Sequence, residues 1–164
     1  MLLKLLSRLR AWLFPKPKAA PRRIQSLEVL ESRIAPAMLV NAHIVTYTDV
    51  NGGHVTIDSS APIFTKANVN QVLTFSTGSV DGTSAPQQLQ EINFNLTTLA
   101  PKVIAGDNIS VTVQKVGNSS DLANVGFIDS SLALGHVVVQ GDLGAINAGD
   151  VGPKNVHYVG LTSL

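Results

Sequence analysis

The chain has 164 residues, 45% apolar and 14% charged, with no cysteine; disulfides, thiolate metal sites and cysteine nucleophiles are excluded, and the low charged share suits strands and turns built from Thr, Ser, Asn, Val and Gly. A formal net charge of +1 conceals an asymmetry: residues 1–23 carry Lys4, Arg8, Arg10, Lys16, Lys18, Arg22 and Arg23 without an acid, and the remainder sets the other five of the 12 basic residues against all 11 acids, a net of −6. An acidic body lacks the basic footprint that nucleic-acid binding needs.

From the N-terminus, Leu2, Leu5, Leu6, Leu9 and Leu13 recur at helical spacing, with Lys4, Arg8 and Arg10 between them. The spacing predicts a short basic amphipathic helix. It is too short and too charged to cross a bilayer but suited to an anionic membrane surface. Pro15 and Pro17 end it, and residues 15–23 form an extended basic linker. Mixed apolar and basic residues depart from an ordinary secretory signal, and Ala35-Pro36-Ala37 before Met38 only superficially matches a cleavage site. A plain surface helix with a linker is the alternative.

Residues 24–37 follow. Leu27, Leu30 and Ile34 fall at i, i+3 and i+7, one short apolar stripe suited to a receptor groove or to packing on the next domain. Leu27-Glu28-Val29-Leu30-Glu31-Ser32-Arg33-Ile34-Ala35-Pro36-Ala37 resembles the LEPR-XLL-type sorting segment found near the start of large exported bacterial proteins. Leu27, Leu30, Glu31, Arg33, Pro36 and Ala37 carry the match, while Ser32 and Ile34-Ala35 depart from it. The resemblance implies an exported protein at the cell surface, in the outer membrane or outside the cell. It also implies that residues 1–37 engage export or sorting machinery and that a β-rich region follows.

The body, residues 38–164, opens with period-2 alternation: Ala42, Ile44, Thr46 and Thr48 against His43, Val45, Tyr47 and Asp49. Val50-Asn51-Gly52-Gly53 has turn composition and His54–Asp58 reads as the return strand of a hairpin. Further strands are expected at 71–76, 88–96, 109–116 and 136–140, with one helical turn within 62–71. Turn residues at this density leave little room for helices.

Gly117, Gly126, Gly135 and Gly144 lie nine residues apart within 117–150, each after an apolar residue. Phe127-Ile128-Asp129-Ser130 is echoed by Ala145-Ile146-Asn147-Ala148 eighteen residues on. Fixed spacing of this kind is what a β-solenoid shows, with each glycine expected at a corner. The fold class is therefore all-β: a hairpin-rich domain, either sandwich or short β-solenoid, behind a basic leader (1–23) and a sorting-type segment (24–37). The Tyr47–Ile57 stretch and Gly141–Asp150 are similar to repeat-bearing bacterial surface proteins, where such segments lead into long solenoid arrays. The apolar strand pattern at Gly160–Leu164 has no polar cap, which suggests that more coils originally followed.

Chemistry is sparse. Asp49 and Asn51 resemble the opening of a calcium loop, but a full loop needs five or more oxygen ligands, usually with a late Glu, so a structural turn is the competing reading. His43 and His54 could approach each other across the hairpin, yet two histidines without a third ligand make a poor zinc site. There is no Gly-x-Ser-x-Gly elbow and no phosphate-cradling glycine loop. The expectation is a non-enzymatic exported or cell-surface structural or interaction protein without a cofactor. The alternatives are a calcium- or glycan-binding β domain, or the N-terminal part of a larger surface protein or enzyme.

Overall fold

The computed structural model describes residues 36–82 and 86–149, and the backbone of 158–162. The leader, the linker and the sorting residues Leu27, Leu30, Glu31 and Arg33 lie outside the described residues.

The body is all-β. Among the described residues nine strands run in chain order: β1 (Met38–Leu39), β2 (Ile44–Thr48), β3 (His54–Ser59), β4 (Leu73–Phe75), β5 (Leu89–Asn93), β6 (Ile109–Gln114), β7 (Ala123–Ser130), β8 (His136–Ala148) and β9 (Tyr158–Thr162). Two single-turn helices, α1 (Val69–Val72) and α2 (Pro101–Ile104), interrupt them. The strands join into one curled mixed sheet, ordered β1-β2-β3-β6-β8-β7-β5-β4, with β9 branching from β8.

The first half is antiparallel. β2 pairs with β3 in the register Ile44↔Asp58 to Thr48↔His54, and β3 pairs with β6 from Ser59↔Ile109 to His54↔Gln114. The predicted hairpin closes at Asp49–Gly52, where Gly52 takes φ +82°, a conformation glycine adopts without steric cost. Alternation sends Val45 and Tyr47 inward from β2 and Val55 and Ile57 from β3.

The second half is parallel. β6, β8 and β9 form one ladder, in which Ile109 pairs with Val137, and Val137 with Val159. β5, β7 and the later part of β8 form another, with Leu89↔Val125↔Leu143 and Ile92↔Ile128↔Ile146. β8 belongs to both ladders because it bends at Gly141, whose φ of +143° and close approach to the Ala123 backbone leave no room for a side chain.

Three expectations need correction. The strand expected at 71–76 is only Leu73–Phe75, because α1 takes Gln71 and Val72. Thr65 and Asn68 start that turn reciprocally: the Thr65 N–H donates to Asn68 Oδ1 (2.8 Å) and the Asn68 N–H to Thr65 Oγ1 (3.3 Å). The strand expected at 136–140 continues to Ala148 through Gly141, and 123–130 is a full strand. Gly126 and Gly144 lie inside strands rather than in turns between them. The inward residues there skip a position, Val125 then Ile128, and two successive residues face outward. A Cβ on Gly126 would run into the Gln90 carbonyl, and one on Gly144 would sit 2.5 Å from the Gly126 carbonyl. Both glycines thus mark a bend shared by adjacent strands. Gly117 (φ +56°) and Gly135 sit in connections, so the nine-residue glycine spacing does not mark equivalent places; β7 and β8 pair eighteen residues apart.

One apolar core lies inside the curl. Val45, Tyr47, Ile57, Leu89, Ile92, Val111, Val125, Ile128, Val137 and Val139 supply it from strands, and Ile63, Phe64, Ile104 and Leu134 from connections. Burying a side chain of this size contributes roughly 1.5–3 kcal/mol.

Candidate functional site

The residues singled out in the sequence do not converge on one place. Pro36 is exposed, whereas Ala37 is fully buried, its N–H donating to Gln87 Oε1 (3.1 Å) and its carbonyl accepting from the Asp81 N–H (2.6 Å). The last residue of the sorting-type segment is therefore part of the β body.

The Asp49 carboxylate turns back on its own turn, accepting from the Val50 N–H at 2.6 Å and the Asn51 amide at 3.3 Å. Burial raises the Asp49 pKa above the ordinary carboxylate value, and those two hydrogen bonds oppose the rise. The nearby Tyr47 hydroxyl is buried and has no hydrogen-bond partner among the described residues. Desolvation, then the charge on Asp49, pushes its pKa up. Tyr47 packs edge-on against Phe75, ring centroids 5.0 Å apart. Among the described residues no three His, Asp or Glu side chains gather into a metal-binding group.

His43 and His54 do not meet. His43 stands beside Ser59, its Nδ1 2.9 Å from the Ser59 carbonyl, and His54 lies opposite Thr48 at the other end of the hairpin. The antiparallel register separates them along the full length of the paired strands. Next to His54 an open groove of about 530 Å³ is lined by Val50, Asn51, Pro86, Val116, Asn118 and Ser119. A smaller depression of about 180 Å³ near the opposite end of β3 holds Asp58, Ser60, Ser110 and His136. Its Ser60 hydroxyl is already engaged, donating to Asp107 Oδ1 (2.6 Å) and accepting from the Asn108 N–H (2.9 Å).

Asp107 is the main polar node, and nothing in the sequence flagged it. It is buried in the connection before β6 and accepts from the Ser59 hydroxyl (2.6 Å), the Ser60 hydroxyl (2.6 Å) and the Ala61 N–H (2.9 Å). Its own carbonyl accepts from the Gly135 N–H (2.8 Å). Ties of this kind fix where β3 ends and where β6 and β8 start. A related signal was legible but unread: Ile57-Asp58-Ser59-Ser60 recurs as Ile128-Asp129-Ser130-Ser131, and both inner serines bond the residue two further on.

The feature that most resembles a working surface is the end of the β5-β7-β8 ladder. Val125 and Ile128 on β7 are buried, while Leu143 and Ile146, next in the same columns, are only partly covered. The outward column holds a polar rung: the Asn147 amide donates to Asp129 Oδ1 at 2.8 Å. Among the described residues no strand pairs with the outer side of Gly141–Ala148, whereas His136–Gln140 carries β9 there. Exposed strand edges of this kind can pair a further strand.

Comparison of the chain with protein-family models, with curated proteins and with solved structures returns no match.

Proposed function

We propose that this chain is a non-enzymatic structural or interaction protein, exported to the cell surface, whose β body forms the first coils of a β-solenoid. One observation carries the architectural part. The chain passes alternately between two parallel ladders, from β6 to β7, through the two halves of β8, then to β9, and like residues stack eighteen apart in Phe127–Ser130 and Ala145–Ala148. A solenoid coil is one circuit of this kind, and the antiparallel strands β1–β3 then cover its first coil.

The surface location rests on the basic leader and the resemblance of residues 24–37 to a sorting segment, together with an acidic body that fits an exposed module. The test is to compare the full chain with one lacking residues 1–35, which leaves the buried Ala37 in place. In cell fractionation the full chain is expected outside the cytoplasm. The shortened chain is expected inside, still with the β-type far-ultraviolet circular dichroism of a folded body and a cooperative unfolding transition. Equal export of both chains would remove the sorting role.

A further inference from the structure

We propose that Asn51 is a self-modifying site: the Gly52 backbone nitrogen attacks the Asn51 side-chain amide, and Asp49 delivers a proton to the nitrogen that leaves. The product carries aspartate or isoaspartate at position 51. This chemistry is independent of the solenoid reading.

Asn51-Gly52 is the one Asn-Gly pair in the chain. Attack on an asparagine side chain by the next peptide nitrogen closes a five-membered ring, and glycine leaves that nitrogen unshielded because it has no Cβ. The pair occupies the tip of the β2–β3 hairpin, where Val50 and Asn51 are exposed and Gly52 takes φ +82°. The Gly52 N–H donates to the Asp49 carbonyl at 2.8 Å. That bond must open before the ring closes, and local openings cost least at exposed turns. Other asparagines are held more firmly. The side-chain oxygens of Asn41, Asn95 and Asn108 accept from the backbone N–H groups of His43, Ser131 and His136 at 2.7, 2.5 and 2.7 Å. Bulkier residues, Ala42, Leu96 and Ile109, follow them. Among the described residues the Asn51 side chain is tied by its amide alone, to Asp49 Oδ2 at 3.3 Å.

That contact also sets the chemistry. The Asn51 nitrogen that must depart is the atom facing the Asp49 carboxyl. Burial raises the Asp49 pKa, which widens the pH range over which the group holds a proton. In the step, the Gly52 nitrogen bonds to Asn51 Cγ and gives its proton to water. The Cγ–Nδ2 bond breaks, and Nδ2 takes the Asp49 proton and leaves as ammonia. Solvent then reprotonates Asp49. Water opens the ring at either carbonyl, giving aspartate or isoaspartate. Either product carries a carboxylate where the turn had an amide donor.

The folded full-length protein is incubated at neutral pH, and its tryptic peptides are followed by mass spectrometry with fragmentation that separates aspartate from isoaspartate. Residues 34–66 form the peptide that reports on Asn51. Conversion at Asn51 is expected at least about tenfold faster than at Asn118, which is exposed but precedes serine. Gly52→Ala is expected to slow it at least about tenfold. Asp49→Asn leaves the glycine and the side-chain shape in place, and is expected to slow conversion about threefold. No conversion at Asn51 in the folded chain, or conversion no faster than at Asn118, overturns the proposal. An Asp49→Asn chain that converts at the parent rate overturns the role given to Asp49.

Discussion

The antiparallel and parallel halves of this sheet are held in register by different means. In β2–β3 the register follows from a four-residue turn in which Asp49, Asn51 and Gly52 act on their immediate neighbours. In β7–β8 it follows from eighteen-residue translation, with Leu143 over Val125, Ile146 over Ile128 and Asn147 over Asp129. Turn chemistry tolerates change in the residues beside it. A translational ladder passes any misfit to the next rung, because each backbone is packed on the one before.

That contrast is sharpest at Gly141. A Gly141→Val substitution forces a side chain into a positive-φ position against the Ala123 backbone, and a loss of about 4 kcal/mol in urea unfolding is expected. A similar substitution at the turn, Asn51→Ala, should cost under about 1 kcal/mol. Equal losses at the two sites would erase the distinction.

Within the ladder, position along the stack decides the cost. Ile128→Ala removes a fully buried side chain between two neighbours and is expected to destabilise by about 3 kcal/mol. Ile146→Ala, at the partly covered end, should cost roughly half as much. A larger effect at Ile146 would mean that the end of the ladder is covered in solution.

Asp107→Ala tests the joint between the halves. It removes the carboxylate that the Ser59 and Ser60 hydroxyls and the Ala61 N–H share, leaving Ser59 and Ala61 only each other, and a loss of about 2 kcal/mol is expected in thermal or urea unfolding. No change would show that water replaces the carboxylate without cost.

The effect of pH is smaller and confined to the hairpin. The Asp49 pKa is raised in the folded protein, so folding favours its protonated form. That stability is fully present below the unfolded pKa, near about 3.9, and is lost as pH rises through the folded value. Asp49→Asn keeps an acceptor for the Val50 N–H but carries no charge. Its melting temperature relative to the parent should therefore rise as the pH goes from about 4 upward; a difference that shrinks would show that the carboxylate is stabilising. Calcium is expected to leave the melting temperature unchanged, since Asp49 and Asn51 bond to each other. A rise would support the calcium-loop reading, because a ligand specific to the folded state stabilises it.

Local chemistry made the all-β class, the β2–β3 hairpin and the eighteen-residue echo legible in the chain. Alternating side chains, Asn-Gly turns and like residues at a fixed offset act over short distances or repeat visibly. The bend at Gly126 and Gly144 was harder to see, because two outward residues in succession break the alternation by which strands are recognised. The sequence alone could not reveal that Asp107 binds Ser59 and Ser60 from 48 and 47 residues away. Nor could it place His43 and His54 at opposite ends of a hairpin, or show that β8 serves two ladders. Those features depend on which backbones lie side by side, and pairing between distant strands is decided by how all the rungs bury their apolar columns together.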